Sequence, residues 1–422
     1  MAECGSENEC QDAEEWRGTS ELKIVLDHPQ GVFYPGNRVT GAVLLNINGP
    51  RPVLALRLKC EGEGMVFFTD RSAGFRRKFS NTQSYLSVER YLFDGKSEGT
   101  IPNGENVFPF SVDLPDEIPC SFEGRYGRVR YSVAAYLERG KVARMTTSVS
   151  FTVAPVLDLN QDSLATLPIS EDNSKAIVGY SEPLNMLVTL PVRGFVPGQT
   201  IPVKIVLKNP SKIEIRKIRV VFKKVITYHA DRKSRRHKEI VVEIEIPVIA
   251  NVDLYETGVD VPAVPPTGMV FCGIIDVWYT LKVEACIEVD EWYLKILKKN
   301  LKTRMRIVIG TVPLRHYETP EEEERTFAES DEAHRREFDD KKSVTESTPA
   351  KMRSKSNGID NKFYKESKIY PSSKPNRDDP TGTDDDGGNG DADSYAPLYQ
   401  VYKFNKNKDK TSTATDSNIR HH

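Results

Sequence analysis

Near the C-terminus a short apolar segment, residues 395–404, reads Tyr-Ala-Pro-Leu-Tyr-Gln-Val-Tyr-Lys-Phe within a polar stretch of chain. The chemistry open to such a segment is recognition as an extended peptide, with its side chains entering separate pockets of a partner. Tyr395 and Leu398 have the Tyr-x-x-apolar spacing of the sorting signals that clathrin adaptors bind in this form. Alternatively, the segment packs back on the folded part of the chain or has no binding role.

A second candidate for binding is a run of cations between two strand-like segments, a position that predicts a hairpin tip. It consists of Arg232, Lys233, Arg235, Arg236 and Lys238. Five cations on one loop attract anionic lipid head groups or an acidic protein segment, and residues 298–302 with Arg304 can extend the patch. The alternative is a loop that is merely solvated.

Catalytic chemistry has little support in the residue pattern. The histidines are scattered through predicted loops and the tail, and the sequence has no Gly-rich phosphate loop and no nucleophile elbow. The six cysteines show neither C-x-x-C spacing nor a histidine at zinc-ligand spacing. Asp113 and Asp260 each precede a Pro-rich turn, which favours a structural role. The sequence therefore predicts a protein that is not an enzyme and has no cofactor and no metal site.

Composition restricts the compartment and the partners. The net charge is −2, so we expect no nucleic-acid partner on the basis of charge. The sequence contains no apolar run long enough to span a bilayer. The N-terminus has no apolar signal segment, and Ala2 occupies the position where myristoylation requires glycine. We therefore expect a cytoplasmic protein.

The elements that position these segments are duplicated along the chain. The turn Tyr34-Pro35-Gly36 is repeated as Val196-Pro197-Gly198, and alternating apolar residues follow each copy. Ile118-Pro119 and Tyr131 of the first copy correspond to Val264-Pro265 and Tyr279 of the second. Repeats of about 140 residues indicate two domains of similar fold.

Short alternating strands separated by Pro and Gly turns predict an all-β chain of two tandem immunoglobulin-like sandwiches. The predicted boundaries are a flexible leader at 1–19, a first domain at 20–155, a linker at 156–181 and a second domain at 182–315. Residues 316–422 are polar and predict a mostly disordered tail, in which a Thr-Pro-Glu start favours a short helix over 320–342.

These motifs, in this order, resemble the α-arrestins, the arrestin domain-containing proteins. The first domain is similar to their N-domain through the Gly31–Gly36 turn and the Val153–Asn160 segment, and the second to their C-domain through Gly194–Gly198 and Ile309–Leu314. The resemblance covers roughly residues 20–315 and implies two arrestin-type sandwiches.

The resemblance also implies a cytosolic adaptor in protein transport. α-Arrestins typically link membrane receptors or transporters to HECT-type ubiquitin ligases, whose WW domains bind Pro-Pro-x-Tyr motifs in the tail. The nearest match here is Ala396-Pro397-Leu398-Tyr399, which lacks the first proline. Because a WW groove binds a polyproline helix between aromatic rings, this loss predicts weaker ligase binding.

On this basis we expect an adaptor that connects membrane cargo to ubiquitination and endocytic sorting, with recruitment to the plasma membrane or endosomes. Its expected partners are cargo segments, a WW-domain HECT-type ligase, a clathrin adaptor and an anionic lipid surface. The alternative is a constitutive structural subunit of a retromer-like coat, which would use the same fold without exchanging partners.

Overall fold

A computed structural model describes residues 20–47, 53–72, 75–95, 100–139, 143–288, 300–317, 363–366 and 395–404. Most of these residues lie in β-strands that form two sandwiches, followed by a pair of short strands from the tail. The prediction of an all-β fold with two tandem sandwich domains is confirmed. The helix predicted over 320–342 lies outside the described residues.

The first sandwich contains two sheets. The smaller sheet consists of β1 (Ser20–Leu26), β3 (Arg38–Ile47) and β6 (Gly104–Asp113), in that order. The larger sheet has the order β2 (Val32–Phe33), β9 (Ala143–Val153), β8 (Gly127–Arg139), β4 (Ala55–Ser72) and β5 (Phe75–Asp94), with β7 (Phe122–Gly124) also paired to β8.

The second sandwich repeats this arrangement. One sheet consists of β10 (Ile169–Lys175), β11 (Leu184–Leu190), β13 (Thr200–Lys208) and β16 (Leu254–Asp260). The other has the order β12 (Gly194–Phe195), β18 (Leu301–Ile309), β17 (Ile275–Ile287), β14 (Ile215–Ala230) and β15 (Lys233–Pro247). In both sandwiches a two-residue strand pairs in parallel with a long one, β2 with β9 and β12 with β18.

The strands form because apolar and polar residues alternate along them, so that one face of each sheet is apolar and is covered by the other sheet. The positions that the repeat aligns are all buried: Val39, Val43, Leu45, Leu56 and Leu58 in the first domain, and Ile201, Ile205, Leu207, Ile218 and Val220 in the second. Most buried apolar residues of both domains belong to one continuous cluster.

Each sandwich contains a buried tyrosine that forms the same hydrogen bond to a proline carbonyl oxygen. Tyr131 donates its phenol hydrogen to the carbonyl oxygen of Pro119 at 2.6 Å, and Tyr279 donates to that of Pro265 at 2.6 Å. Both rings are fully buried, so each hydroxyl needs this partner. The matched pairs show that the sequence repeat is a repeat of three-dimensional structure.

Two features of the connecting segments were not predicted from the sequence. The segment expected to be a linker contains a 3-10 helix at Leu159–Gln161 and the edge strand β10. β10 reads Ile-Ser-Glu-Asp-Asn-Ser-Lys and exposes most of its side chains, so it lacks the apolar alternation that identified the other strands. In the tail, β19 (Phe363–Glu366) pairs antiparallel with β20 (Leu398–Val401).

Within the part of the chain that the structure describes, no helical segment has the length and apolar character needed to cross a membrane.

The tyrosine hydrogen bonds give the first testable prediction. In Tyr279→Phe the carbonyl oxygen of Pro265 loses its buried donor, so we expect the free energy of unfolding to fall by about 1–3 kcal/mol. Tyr131→Phe should have a similar effect through Pro119. Urea denaturation of the full chain measures both. Tyr91→Phe is the control, because Tyr91 is 65% exposed; equal losses in all three variants would contradict a special role for the buried pairs.

Candidate functional site

The two sandwiches enclose a groove with one wall from each domain. The N-domain wall consists of Ser121, which precedes β7, and of Phe151 and Thr152 near the end of β9. The C-domain wall consists of Pro197, in the turn after β12, and Thr311, just beyond β18. We call this the inter-domain groove.

Residues 395–404 occupy the inter-domain groove, and we call them the tail strap. The backbone N–H of Leu398 donates to Thr152 Oγ1 at 3.3 Å on the N-domain wall. The backbone N–H of Tyr402 donates to the carbonyl oxygen of Pro197 at 2.9 Å on the C-domain wall. The strap therefore bridges the two domains with its backbone.

Three tyrosines of the strap point their hydroxyls at backbone carbonyls of the groove. Tyr395 donates to Phe151 O at 3.0 Å and also lies 3.1 Å from Thr152 Oγ1. Tyr399 donates to Ser121 O at 3.2 Å, and Tyr402 donates to Thr311 O at 2.6 Å. Burial raises the pKa of Tyr402 to about 12 and that of Tyr399 well above its ordinary value, so both phenols hold their protons at neutral pH.

The strap fits the groove closely. The space left between them, lined in part by Pro155, Val264 and Pro266, is about 10 Å³, which is no more than one water molecule needs. Gly198 has φ of +100°, and a Cβ there would lie 2.0 Å from the carbonyl oxygen of Tyr402. The glycine of the repeated Pro-Gly turn therefore serves both the turn and the approach of the strap.

The second tail strand lies beside the first. β19 pairs residue by residue with β20, from Phe363 opposite Val401 to Glu366 opposite Leu398. Tyr364 of β19 forms a hydrogen bond with the hydroxyl of Tyr34, in the first copy of the Pro-Gly turn. The tail thus contacts both copies of the turn, Tyr34 beside Pro35 in one and Pro197 in the other.

The predicted tail motifs lie within the strap. Pro397 and Tyr399 are buried, whereas Ala396 and Leu398 are half-buried. Tyr395 is also half-buried, with the guanidinium of Arg130 5.9 Å from its ring centroid. Of the three interpretations, this arrangement corresponds to packing against the sandwiches. Binding of the WW-type motif or of the Tyr-x-x-apolar motif requires the strap to leave the groove, and both stay predictions.

The predicted basic hairpin tip is different in the structure. Only Asp231 and Arg232 form the turn, because the residues from Lys233 onward belong to strand β15. Lys233 forms an ion pair with Asp70 of the N-domain, and Arg235 donates to the carbonyl oxygen of Thr69 at 2.7 Å. The predicted hairpin is present, but the five cations do not share one loop, since most belong to β15 and alternate residues of a strand point to opposite faces. Binding of an anionic partner by these cations stays a prediction.

Arg236 and Lys238 lie on the exposed face of β15 and meet cations of the neighbouring strands. The guanidinium groups of Arg236 and Arg306 lie 5.7 Å and 4.9 Å from the ring of Trp278. Burial lowers the pKa of Lys223, and the charges of nearby cations, including Lys238, lower it further. We define this basic face by Lys223, Arg236, Lys238, Arg304 and Arg306 around Trp278.

The interface between the domains also contains a buried ion pair that the sequence analysis did not identify. Lys224 Nζ lies 3.3 Å from Glu239 and 5.9 Å from the centre of the Phe122 ring of the N-domain. His237 lies 3.2 Å from the same carboxylate. Burial lowers the pKa of Lys224 to about 8, although the Glu239 carboxylate opposes this, and burial raises the pKa of Glu239.

The alternation of residues along β14 in the sequence contained a signal for this pair. Phe222, Lys224, Ile226 and Tyr228 alternate along β14, so a lysine had to share the inward face with large apolar residues. No comparable signal identifies Ser121, Thr152 or Thr311 as groove residues, because their role depends on a segment more than 90 positions away. The described residues contain no group of three or more His, Cys, Asp or Glu side chains placed to hold a metal ion.

Comparison with known proteins gives two family matches in tandem. Residues 22–160 match the model of the arrestin (or S-antigen) N-terminal domain, and residues 181–314 match that of the C-terminal domain. The chain is 26% identical over 315 residues to arrestin domain-containing protein 17 of Caenorhabditis elegans, covering 69% of this chain and 70% of the relative. It is 29% identical over 308 residues to human arrestin domain-containing protein 4, covering 69% and 71%.

The buried lysine predicts a pH dependence of stability. Its pKa falls from 10.5 to about 8 on folding, so between these values the unfolded chain binds more protons and stability rises with pH. We expect Lys224→Met/Glu239→Gln to make the slope of unfolding free energy against pH less positive, by up to about 1 kcal/mol per pH unit.

Urea denaturation from about pH 8 to about pH 10 measures this slope. Subtracting the slope of the parent from that of the variant cancels the contributions of other titrating groups. The double substitution leaves no unpaired buried carboxylate. Lys204→Met is the control, because Lys204 is exposed. An identical slope in the parent and the double variant would contradict the prediction.

Proposed function

Because the chain belongs to the arrestin family, among its arrestin domain-containing members, we propose that it is a non-enzymatic adaptor for membrane cargo. The proposed cargo is a receptor or transporter, bound through its cytosolic segments and linked to ubiquitination and endocytic sorting. The observation that carries this proposal is the pair of arrestin domains in family order, followed by a tail with candidate recognition motifs. The proposed location is the cytoplasm, with recruitment to the plasma membrane or endosomes.

The long strands at the ends of the sheets support binding of extended cargo segments. β5 ends the larger N-domain sheet and β15 ends the five-stranded C-domain sheet. An edge strand offers unpaired backbone N–H and C=O groups, to which an extended peptide can add a further strand. Tyr91, on β5, is 65% exposed and gives such a peptide an aromatic contact.

The basic face supports contact with an anionic membrane surface. Its cations surround Trp278, an amphipathic ring suited to the head-group region, with Arg236 and Arg306 beside it. Lys282 and Lys302 are excluded from the face because each is paired with Glu284. The remaining cations attract anionic lipid at about 1 kcal/mol each, within the screening length of the solution.

The tail motifs give the proposed link to sorting machinery. Pro397 and Tyr399 are the residues that a WW domain of a HECT-type ligase would bind, and Tyr395 with Leu398 would suit a clathrin adaptor. Both uses require the strap to be released first, because Pro397 and Tyr399 are buried in the groove.

A constitutive coat subunit is the alternative function, and the two differ in stoichiometry. An adaptor should co-purify with membrane receptors or transporters in amounts below one per chain, and these should decline on dilution. Quantitative mass spectrometry after affinity capture from gently lysed cells measures the ratio. Recovery of one fixed partner at a constant 1:1 ratio would reject the adaptor and favour the coat subunit.

Charge reversal tests the basic face. We expect Arg236→Glu/Lys238→Glu to weaken binding to vesicles containing anionic lipid by at least about tenfold, since each cation contributes about 1 kcal/mol. Lys204→Glu/Lys208→Glu is the matched control, with the same change of charge on exposed positions of β13 in the other sheet. Vesicle sedimentation at fixed ionic strength measures binding, and equal losses in both variants would indicate only a general charge effect.

A further inference from the structure

The contacts of the tail strap share one chemical feature. Tyr395, Tyr399 and Tyr402 each use the phenol hydroxyl as a hydrogen-bond donor, and each acceptor is a backbone carbonyl oxygen of the groove. A carbonyl oxygen cannot donate, so these sites require a hydroxyl that carries its hydrogen. A site of this kind strongly discriminates against a ligand that lacks the donor, because its own buried polar group is then left unpaired.

We propose that the inter-domain groove is a binding site for an extended segment bearing unmodified tyrosines, and that its resident ligand is the tail strap of the same chain. This goes beyond the adaptor role, because it concerns which segment fills the groove rather than which cargo the protein carries. The site accepts hydrogen bonds from the backbone N–H groups of Leu398 and Tyr402 and from the phenol hydroxyls of the three tyrosines.

Phosphotyrosine does not fit this site. A phosphate on Tyr399 replaces the donor by oxygens that can only accept and brings nearly two negative charges against Ser121 O. Burial is the main factor that disfavours a negative charge on Tyr399 and Tyr402, and the carboxyl groups of Glu123 near Tyr399 and Asp158 near Tyr402 add to it. A phosphate on either residue would therefore be buried against a carbonyl oxygen that cannot donate to it, and Arg130, the cation over the Tyr395 ring, is paired with Glu123, so we expect a phosphorylated strap not to dock.

The resident ligand competes with any added peptide. A tethered segment is present at a high effective concentration, so in the parent chain it should exclude a free peptide of the same sequence. Releasing the strap by substitutions in the strap itself leaves both groove walls intact. The full chain carrying Tyr399→Ala/Tyr402→Ala provides this state.

The experiment measures fluorescence anisotropy of a labelled peptide of residues 395–404 titrated with three full-length chains. We expect the peptide to bind the Tyr399→Ala/Tyr402→Ala chain at least about tenfold more tightly than the parent. Val107→Ala is the control, because it truncates an exposed side chain outside the groove, and should behave as the parent. Equal binding to parent and released chain, or no binding to either, overturns the proposal.

Modified peptides test the hydroxyl requirement with the same released chain. A peptide with Tyr399→Phe should bind about tenfold more weakly than the unmodified one, because Ser121 O loses its donor. A peptide phosphorylated at Tyr399 should bind at least about 100-fold more weakly. Binding of the phosphorylated peptide as tight as that of the unmodified one overturns the proposal.

A substitution in the groove wall provides an independent test. Adding Gly198→Ala to the released chain should abolish peptide binding, because the new Cβ would meet the carbonyl oxygen of Tyr402. Gly179→Ala is the matched control, since Gly179 has a similar φ of +91° with nothing within 4 Å of a Cβ. Both alanines bear the same backbone strain, and only the first should affect binding.

Hydrogen exchange tests the resident ligand without any added peptide. In the parent chain the amides of Leu398 and Tyr402 should be protected, because they donate to Thr152 and Pro197, and in the released chain they should exchange freely. Free exchange of residues 398–402 in the parent chain overturns the assignment of the strap as the resident ligand.

Discussion

The structure depends on one constraint: each sheet has an apolar face that must be kept from water. In this chain the apolar faces of four sheets meet in a single cluster that continues from one sandwich into the other. The same burial that folds each domain therefore fixes their relative placement. The inter-domain groove is a product of this packing, because separating Pro197 and Thr311 from Ser121 and Thr152 would expose part of the shared core.

The strands and the domain repeat could be predicted from the sequence because each has a local residue pattern. Alternation along β3 and β13 identified strands, and the repeated Pro-Gly turn identified the duplication that Tyr131 and Tyr279 confirm through their proline partners. The prediction missed β10 because an edge strand can be polar on both faces. It made the strands of the basic hairpin too short because charge hides the strand pattern: Lys233 and Arg235 belong to β15 and contact the N-domain.

From the sequence, the tail strap could be predicted as a candidate binding segment, but the groove residues that it contacts could not. Its aromatic residues distinguished it from the polar tail, and packing against the sandwiches was one of three open interpretations. The contacts of the strap depend on Ser121, Thr152 and Thr311, whose polar groups look ordinary in the sequence and form a site only when the two domains are placed side by side. The local sequence pattern carries no information about contacts between the strap and the two domains. The duplicated Pro-Gly turns, which lie next to the groove, only hint at its position.

The distance along the chain between the strap and its walls has a consequence for biosynthesis. Tyr399 reaches back 278 residues to Ser121, and Tyr402 reaches back 91 to Thr311. Closing loops of this size costs entropy, and the contacts that offset this cost form only when both sandwiches are already folded. The groove must therefore stand open on the ribosome after both domains have formed, and it fills only when the last residues of the strap emerge. Occupancy of the groove thus requires that synthesis has passed Phe404.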